Sequence, residues 1–165
     1  MIIVEGPDGG GKSTLVNRLS QEFQVPVHHS GGPPKSEGDI ISRHSHMLEN
    51  PRLIFDRAPA ISDPIYGAIL VRGSSLDAGD LLDLLALHPL VIYCRPPIEH
   101  LLKVQDGHEV KAHETQEHVS GVMCHQPEII VAYDRLMVLV PHLKWDFLDP
   151  TNHRAIVSAC ARKLA

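Results

Sequence analysis

The residues best suited to chemistry stand near the start of the chain. Gly6-Pro7-Asp8-Gly9-Gly10-Gly11-Lys12-Ser13 satisfies the pattern G-x-x-x-x-G-K-[ST] and is followed by Thr14. Glycine at Gly6, Gly9, Gly10 and Gly11 lets successive backbone N–H groups turn inward around phosphate oxygens, and a helix beginning at the end of the loop adds the positive end of its dipole. In such a loop Lys12 reaches the β- and γ-phosphates of a nucleotide, Ser13 holds Mg²⁺ and Thr14 adds a contact to the α-phosphate. An ordinary glycine-rich turn is the competing explanation, and sequence context decides against it. Met1 to Glu5 is apolar enough for a buried strand, and Ser13 to Phe23 carries Leu15, Val16, Leu19 and Phe23 at helical spacing, so the loop joins a strand to a helix as the chemistry requires. ATP and Mg²⁺ are the expected cofactors.

A second candidate is Asp56-Arg57 at the carboxyl end of an expected strand, the edge of an open α/β sheet where ligands bind. Asp56 could orient Mg²⁺, making it the partner of Ser13 as a metal ligand, or an acceptor oxygen. Arg57 could neutralise charge on a transferring or accepting phosphate. A surface ion pair would explain the same dipeptide, but a carboxylate followed by arginine next to a phosphate loop favours chemistry.

Both candidates need a scaffold, and hydrophobic runs alternating with helix-period segments supply one. With the loop motif, the pattern predicts an α/β chain with a three-layer P-loop fold: a five-stranded parallel sheet flanked by helices, in a single domain over residues 1–165. The expected strands are Met1 to Glu5, Val25 to His29, Arg52 to Asp56, Leu90 to Cys94 and Leu143 to Leu148. Between them fall helices from Ser13 to Phe23, about Asp39 to Leu48, Leu76 to Leu87 opened by Asp77, and one begun by Pro96-Pro97. A helical region from about Glu114 to Val140 is broken at Pro127, and a final helix begins near Thr151. Residues 105–114 are polar enough for a small lid.

The 165 residues with 43% hydrophobic content can bury one core. No stretch approaches the ~20 apolar residues of a membrane span, so no membrane partner is expected and the chain reads as cytoplasmic. Cys94, Cys124 and Cys160 form no paired pattern and are expected to be reduced and mostly buried. A net charge of -5 opposes broad attraction to a polyanion, though it leaves room for a local basic cleft. The chain has 12 histidines, and the spacings of His28-His29, His44-His46, His113, His118 and Cys124-His125 match no zinc motif.

At these residues the chain resembles the thymidylate kinase family of P-loop nucleotide kinases. Val4 to Thr14 is similar to that family's E-G-x-D-G-x-G-K-[ST]-T loop, in which the acid held here by Asp8 faces the acceptor sugar. Gly31-Gly32-Pro33-Pro34 resembles the P-G-G-T-P turn. Asp56-Arg57 with Ser62 and Tyr66 resembles D-R-[YF]-x-x-S-x-x-A-Y, and Arg72 lies where a further phosphate-binding arginine is often found. The resemblance implies catalytic roles for Lys12, Asp56, Arg57 and Arg72, with Asp8, Arg57, Tyr66 and Arg72 toward the acceptor. The chain departs from the family in that 23 residues separate Gly32 from Asp56, a short span for the helices that wall a thymine pocket. Ala58 replaces an aromatic residue, and no arginine lies between Arg95 and Arg135.

Two acceptors follow from the resemblance. One is a free thymidine-like deoxynucleotide, as for a compact bacteriophage nucleotide kinase acting in the host cytoplasm. The other is a base within DNA, since a branch of the family in phages with hypermodified thymine phosphorylates the hydroxymethyl group of 5-hydroxymethyluracil, and a shortened wall would admit a polynucleotide. A phosphate acceptor needs no general base, whereas a hydroxyl makes Asp56 or Asp8 a candidate. A P-loop ATPase or switch uses the same loop but needs a water-positioning residue that the sequence does not display. Either a monomer or a homodimer, through a leftover apolar face of Leu81 to Leu87, fits the composition.

Overall fold

A computed structural model describes residues 1–30, 32–104 and 116–165. The elements run β1 (Ile2–Glu5), α1 (Lys12–Phe23), β2 (Val27–His29), α2 (Glu37–Glu49), β3 (Ile54–Asp56), α3 (Pro59–Ile69), α4 (Ala78–Ala86), β4 (Leu90–Cys94), α5 (Ile98–Val104), α6 (Gln116–Cys124), α7 (Gln126–Met137), β5 (His142–Trp145) and α8 (Pro150–Leu164). All strand pairs are parallel, in the order β2-β3-β1-β4-β5. This is the expected five-stranded parallel sheet. The expected lid over 105–114 lies outside the described residues.

The period-2 alternation of the strands sorts the core into two layers. Ile2, Val4, Ile54, Ile92 and Cys94 face Leu15, Val16 and Leu19 of α1 and Ile156 and Cys160 of α8. Ile3, Phe55, Val91 and Tyr93 face α2, α3, α4, α6 and α7. Each fully covered aliphatic side chain contributes roughly 1.5–3 kcal/mol, which fixes the register of the sheet. Because α1 leaves β1 toward one face and α3 leaves β3 toward the other, a crevice opens at the carboxyl ends of these neighbouring strands.

Helix starts follow local chemistry. Asp77 accepts from the amides of Gly79 and Asp80 while Asp80 accepts from the Asp77 amide, a reciprocal capping box for α4. Ser36 caps α2 and Asp149 caps α8. Helix α1 has no side-chain cap and begins behind Gly11 at φ 84, so its first amides are left for another acceptor.

Several expectations shift. Strand β5 spans His142–Trp145 rather than Leu143 to Leu148, because Asp146 turns the chain out of the sheet by accepting from the amides of Leu148 and Asp149. Helix α3 had no counterpart in the sequence reading. Cys124 is exposed while Cys94 and Cys160 are buried. In the leucine-rich α4 only Leu84 is fully covered, and Leu82 points to solvent. No helix among the described residues is long and apolar enough to cross a membrane.

Candidate active site at the carboxyl edge of the sheet

Gly6, Gly9 and Gly11 hold φ of 141, 76 and 84 in the loop after β1, a backbone that side-chain-bearing residues rarely adopt. A Cβ on Gly6 would stand 2.4 Å from the Cys94 carbonyl oxygen, so the loop lies directly against the end of β4. Lys12 is buried and donates to the Pro7 carbonyl at 2.7 Å, with Asp8 at 3.7 Å. Its pKa is lowered, first by burial and then by the nearby Arg57, while Asp8 and Asp56 pull the other way. The ammonium rests on a loop carbonyl, a partner that a phosphate oxygen could replace. Ser13 and Thr14 stand exposed at the start of α1, on the wall of the same cleft.

The loop is braced from below by a buried polar network that the sequence did not reveal. Glu5, with no exposed surface, accepts from the amides of Gly6 (3.0 Å) and Ala58 (2.6 Å) and from the Tyr133 hydroxyl (3.0 Å). Burial pushes its pKa up, opposed by the Arg57 charge and these two amides. Arg57 takes φ 76, which turns its side chain back over the loop. There it donates to the Gly6 carbonyl (3.1 Å), the Tyr133 hydroxyl (2.7 Å) and the Asp8 carboxylate, and its guanidinium lies 5.1 Å from the centre of the Tyr66 ring. Tyr66 donates to the other Asp8 oxygen at 3.1 Å, and Gln126 donates to the Asp8 carbonyl at 2.8 Å. A glutamate closing an otherwise apolar strand was the one available signal, since a buried carboxylate must find donors. Tyr133 and Gln126, more than a hundred residues away, carried none.

Asp56 sits at the end of β3, in register with His29 of β2, whose Nδ1 is 3.1 Å from its carboxylate. Arg72 lies 2.7 Å from Asp63, a buried acid whose other oxygen accepts from the Ser74 hydroxyl and the Ser75 amide. Arg43 clasps both oxygens of Asp39 and the Gly32 carbonyl. One cleft of about 600 Å³ is lined by loop residues Asp8, Gly9, Gly11, Lys12, Ser13 and Thr14 together with Asp56, Arg57, Tyr66 and Arg72. Gly6 and Gly10 shape the loop behind it without lining it. A hydroxyl from Ser13 and a carboxylate from Asp56 on a shared cleft form an oxygen donor set that fits a hard divalent cation such as Mg²⁺.

No known family profile matches the chain. Among solved structures it is similar to the YorR protein of Bacillus subtilis in complex with phosphorylated GDP, with a TM-score of 0.74 and 19% identity over 98% of this chain and 93% of that one. The fold is that of the P-loop kinases. A gluconokinase from Sinorhizobium meliloti (TM-score 0.57, 14% identity, 98% and 91% covered) and a deoxyadenosine kinase from M. mycoides with bound dATP (0.54, 18%, 98% and 98%) share this kinase fold. In sequence, 65 residues are 34% identical to an adenylate kinase of Petrotoga mobilis, a stretch covering 39% of this chain and only 29% of that relative's length.

Proposed function

We propose that the chain is an ATP-dependent kinase that transfers the γ-phosphoryl group to a deoxynucleotide-class acceptor, thymidine-like and either free or within DNA. The observation that carries this reading is the cleft that brings the phosphate-loop residues together with Asp56, Arg57, Tyr66 and Arg72. A volume of about 600 Å³ falls within the range of small-molecule sites. Two kinases among the structural neighbours, a gluconokinase and a deoxyadenosine kinase bound to dATP, support the same class. The thymidine-like base follows from the motif resemblance alone.

In this reading the loop amides and Lys12 bind the β- and γ-phosphates, and the buried network beneath them keeps the amides aimed before substrate arrives. Bound Mg²⁺, held through Ser13 and Asp56, would neutralise charge on the phosphates. Asp8, fixed by Arg57, Tyr66 and Gln126, lines the cleft, where it would position the acceptor's sugar or hydroxyl. Little covalent chemistry is asked of the protein, so alignment and charge stabilisation supply the rate. The test is incubation with γ-labelled ATP and a panel of deoxynucleoside monophosphates, nucleosides and DNA. Label on an acceptor supports the reading, and ADP formation with every acceptor unlabelled refutes it in favour of an ATPase.

A further inference from the structure

We infer that the oxygen receiving the phosphoryl group in this cleft is a hydroxyl and not a phosphate oxygen. This deepens the proposed kinase function and rests on it.

Three arginines line the cleft among the described residues, and each already faces a carboxylate. Arg57 is held by Asp8, the Gly6 carbonyl and Tyr133, under the Tyr66 ring. Arg72 is paired with Asp63, whose side chain has no exposed surface. Arg43 is chelated by both oxygens of Asp39 and donates to the Gly32 carbonyl. The positive charge that would attract a phosphate monoester is therefore already partly offset within the protein.

A dianion seated here would have to share a guanidinium with its acid and lie beside that acid's own negative charge. For Arg72 that acid is Asp63, fully covered and also held by Ser74 and Ser75, and for Arg57 it is Asp8 of the phosphate loop. A neutral hydroxyl asks for none of this. It needs one hydrogen-bond acceptor to aim its lone pair at the γ-phosphorus, and the carboxylates of Asp8 and Asp56 both reach the cleft. The step balances simply: the acceptor O–P bond forms, the bond from the γ-phosphorus to the bridging oxygen of ATP breaks, ADP leaves, and the hydroxyl proton passes to water in the cleft. Nucleophile deprotonation can lag in a loose phosphoryl-transfer transition state, so water suffices as the proton acceptor.

The experiment incubates the full chain and Mg²⁺ with γ-labelled ATP and, in separate arms, thymidine monophosphate, thymidine, and DNA carrying 5-hydroxymethyluracil in single- and double-stranded form. Labelled products are then heated in dilute acid, which cleaves the phosphoanhydride of a diphosphate but spares the phosphomonoester of an alcohol. The expected result is acid-stable label on a hydroxyl acceptor, with kcat/KM at least about tenfold above that for the monophosphate. The thymidine and DNA arms show whether a free nucleoside or a base in a polymer presents the hydroxyl. Acid-labile label on thymidine monophosphate, with the hydroxyl arms blank, overturns the inference and leaves the kinase standing. ATP turnover with every arm blank overturns both.

Discussion

Replacing Tyr133 by Phe removes a single oxygen atom at the centre of the brace beneath the phosphate loop. The hydroxyl donates to Glu5 at 3.0 Å and accepts from Arg57 at 2.7 Å, and the ring has no exposed surface. Phe keeps the ring and its packing, so no cavity term enters. Both lost bonds involve charged partners, worth roughly 1.5–3 kcal/mol each, and water cannot replace them, which places the expected loss near 3 kcal/mol. Urea denaturation followed by circular dichroism should show a lower midpoint at unchanged slope. A cycle with Glu5→Gln sharpens the test. If the hydroxyl acts through the Glu5 carboxylate, the double variant should be less destabilised than the sum of the singles by about 1–2 kcal/mol. A Tyr133→Phe loss within about 0.5 kcal/mol, the range of an ordinary surface change, or strict additivity in the cycle, refutes the idea that this oxygen ties the loop down.

Three further outcomes follow from local geometry. Gly6→Ala should cost more than about 3 kcal/mol, because its Cβ would meet a backbone oxygen at 2.4 Å with φ at 141, and a thermal melt reads the loss directly. Asp77→Ala should remove about 1 kcal/mol through the α4 capping box and leave phosphoryl transfer unchanged, which pairs a melt with a turnover assay. His44 is buried with neither ring nitrogen hydrogen-bonded, and burial lowers its pKa below 6.5 against the pull of Asp80 and Asp83. The neutral ring is therefore favoured in the fold, so its contribution is complete above pH 6.5 and declines as pH falls through 6.5 toward the lowered value. His44→Leu should flatten that part of the stability profile, as melts across the pH series would show.

The scaffold was legible wherever one local signal sufficed. Short apolar runs marked the strands, Asp77 marked the start of α4, and the glycine-rich loop fell between β1 and α1 as its chemistry demands. Helix α3 escaped because its cues conflict. It carries Pro59 at its start and Pro64 inside, has no side-chain cap, and is buried almost all round, so no amphipathic period appears. The overlong expectation for β5 took Phe147 and Leu148 for strand residues, although the turn at Asp146 carries them out of the sheet. Site residues contiguous with the loop could be read from the sequence, whereas Tyr133 and Gln126 meet Glu5 and Asp8 only through the fold. Nothing in the letters could show that Arg57 adopts φ 76 and turns back over the loop, or that Arg72 finds Asp63.

Lys12 is the residue on which the kinase assignment turns, and Lys12→Met isolates it. Removing a buried ammonium that donates to a loop carbonyl should leave the urea midpoint near or above that of the unaltered chain, since the lost bond is offset by the lost desolvation. Phosphoryl transfer from γ-labelled ATP should fall at least about 100-fold in the same preparation. Transfer at the original rate from a folded Lys12→Met protein would contradict the assignment of this loop as the site that grips and activates the triphosphate.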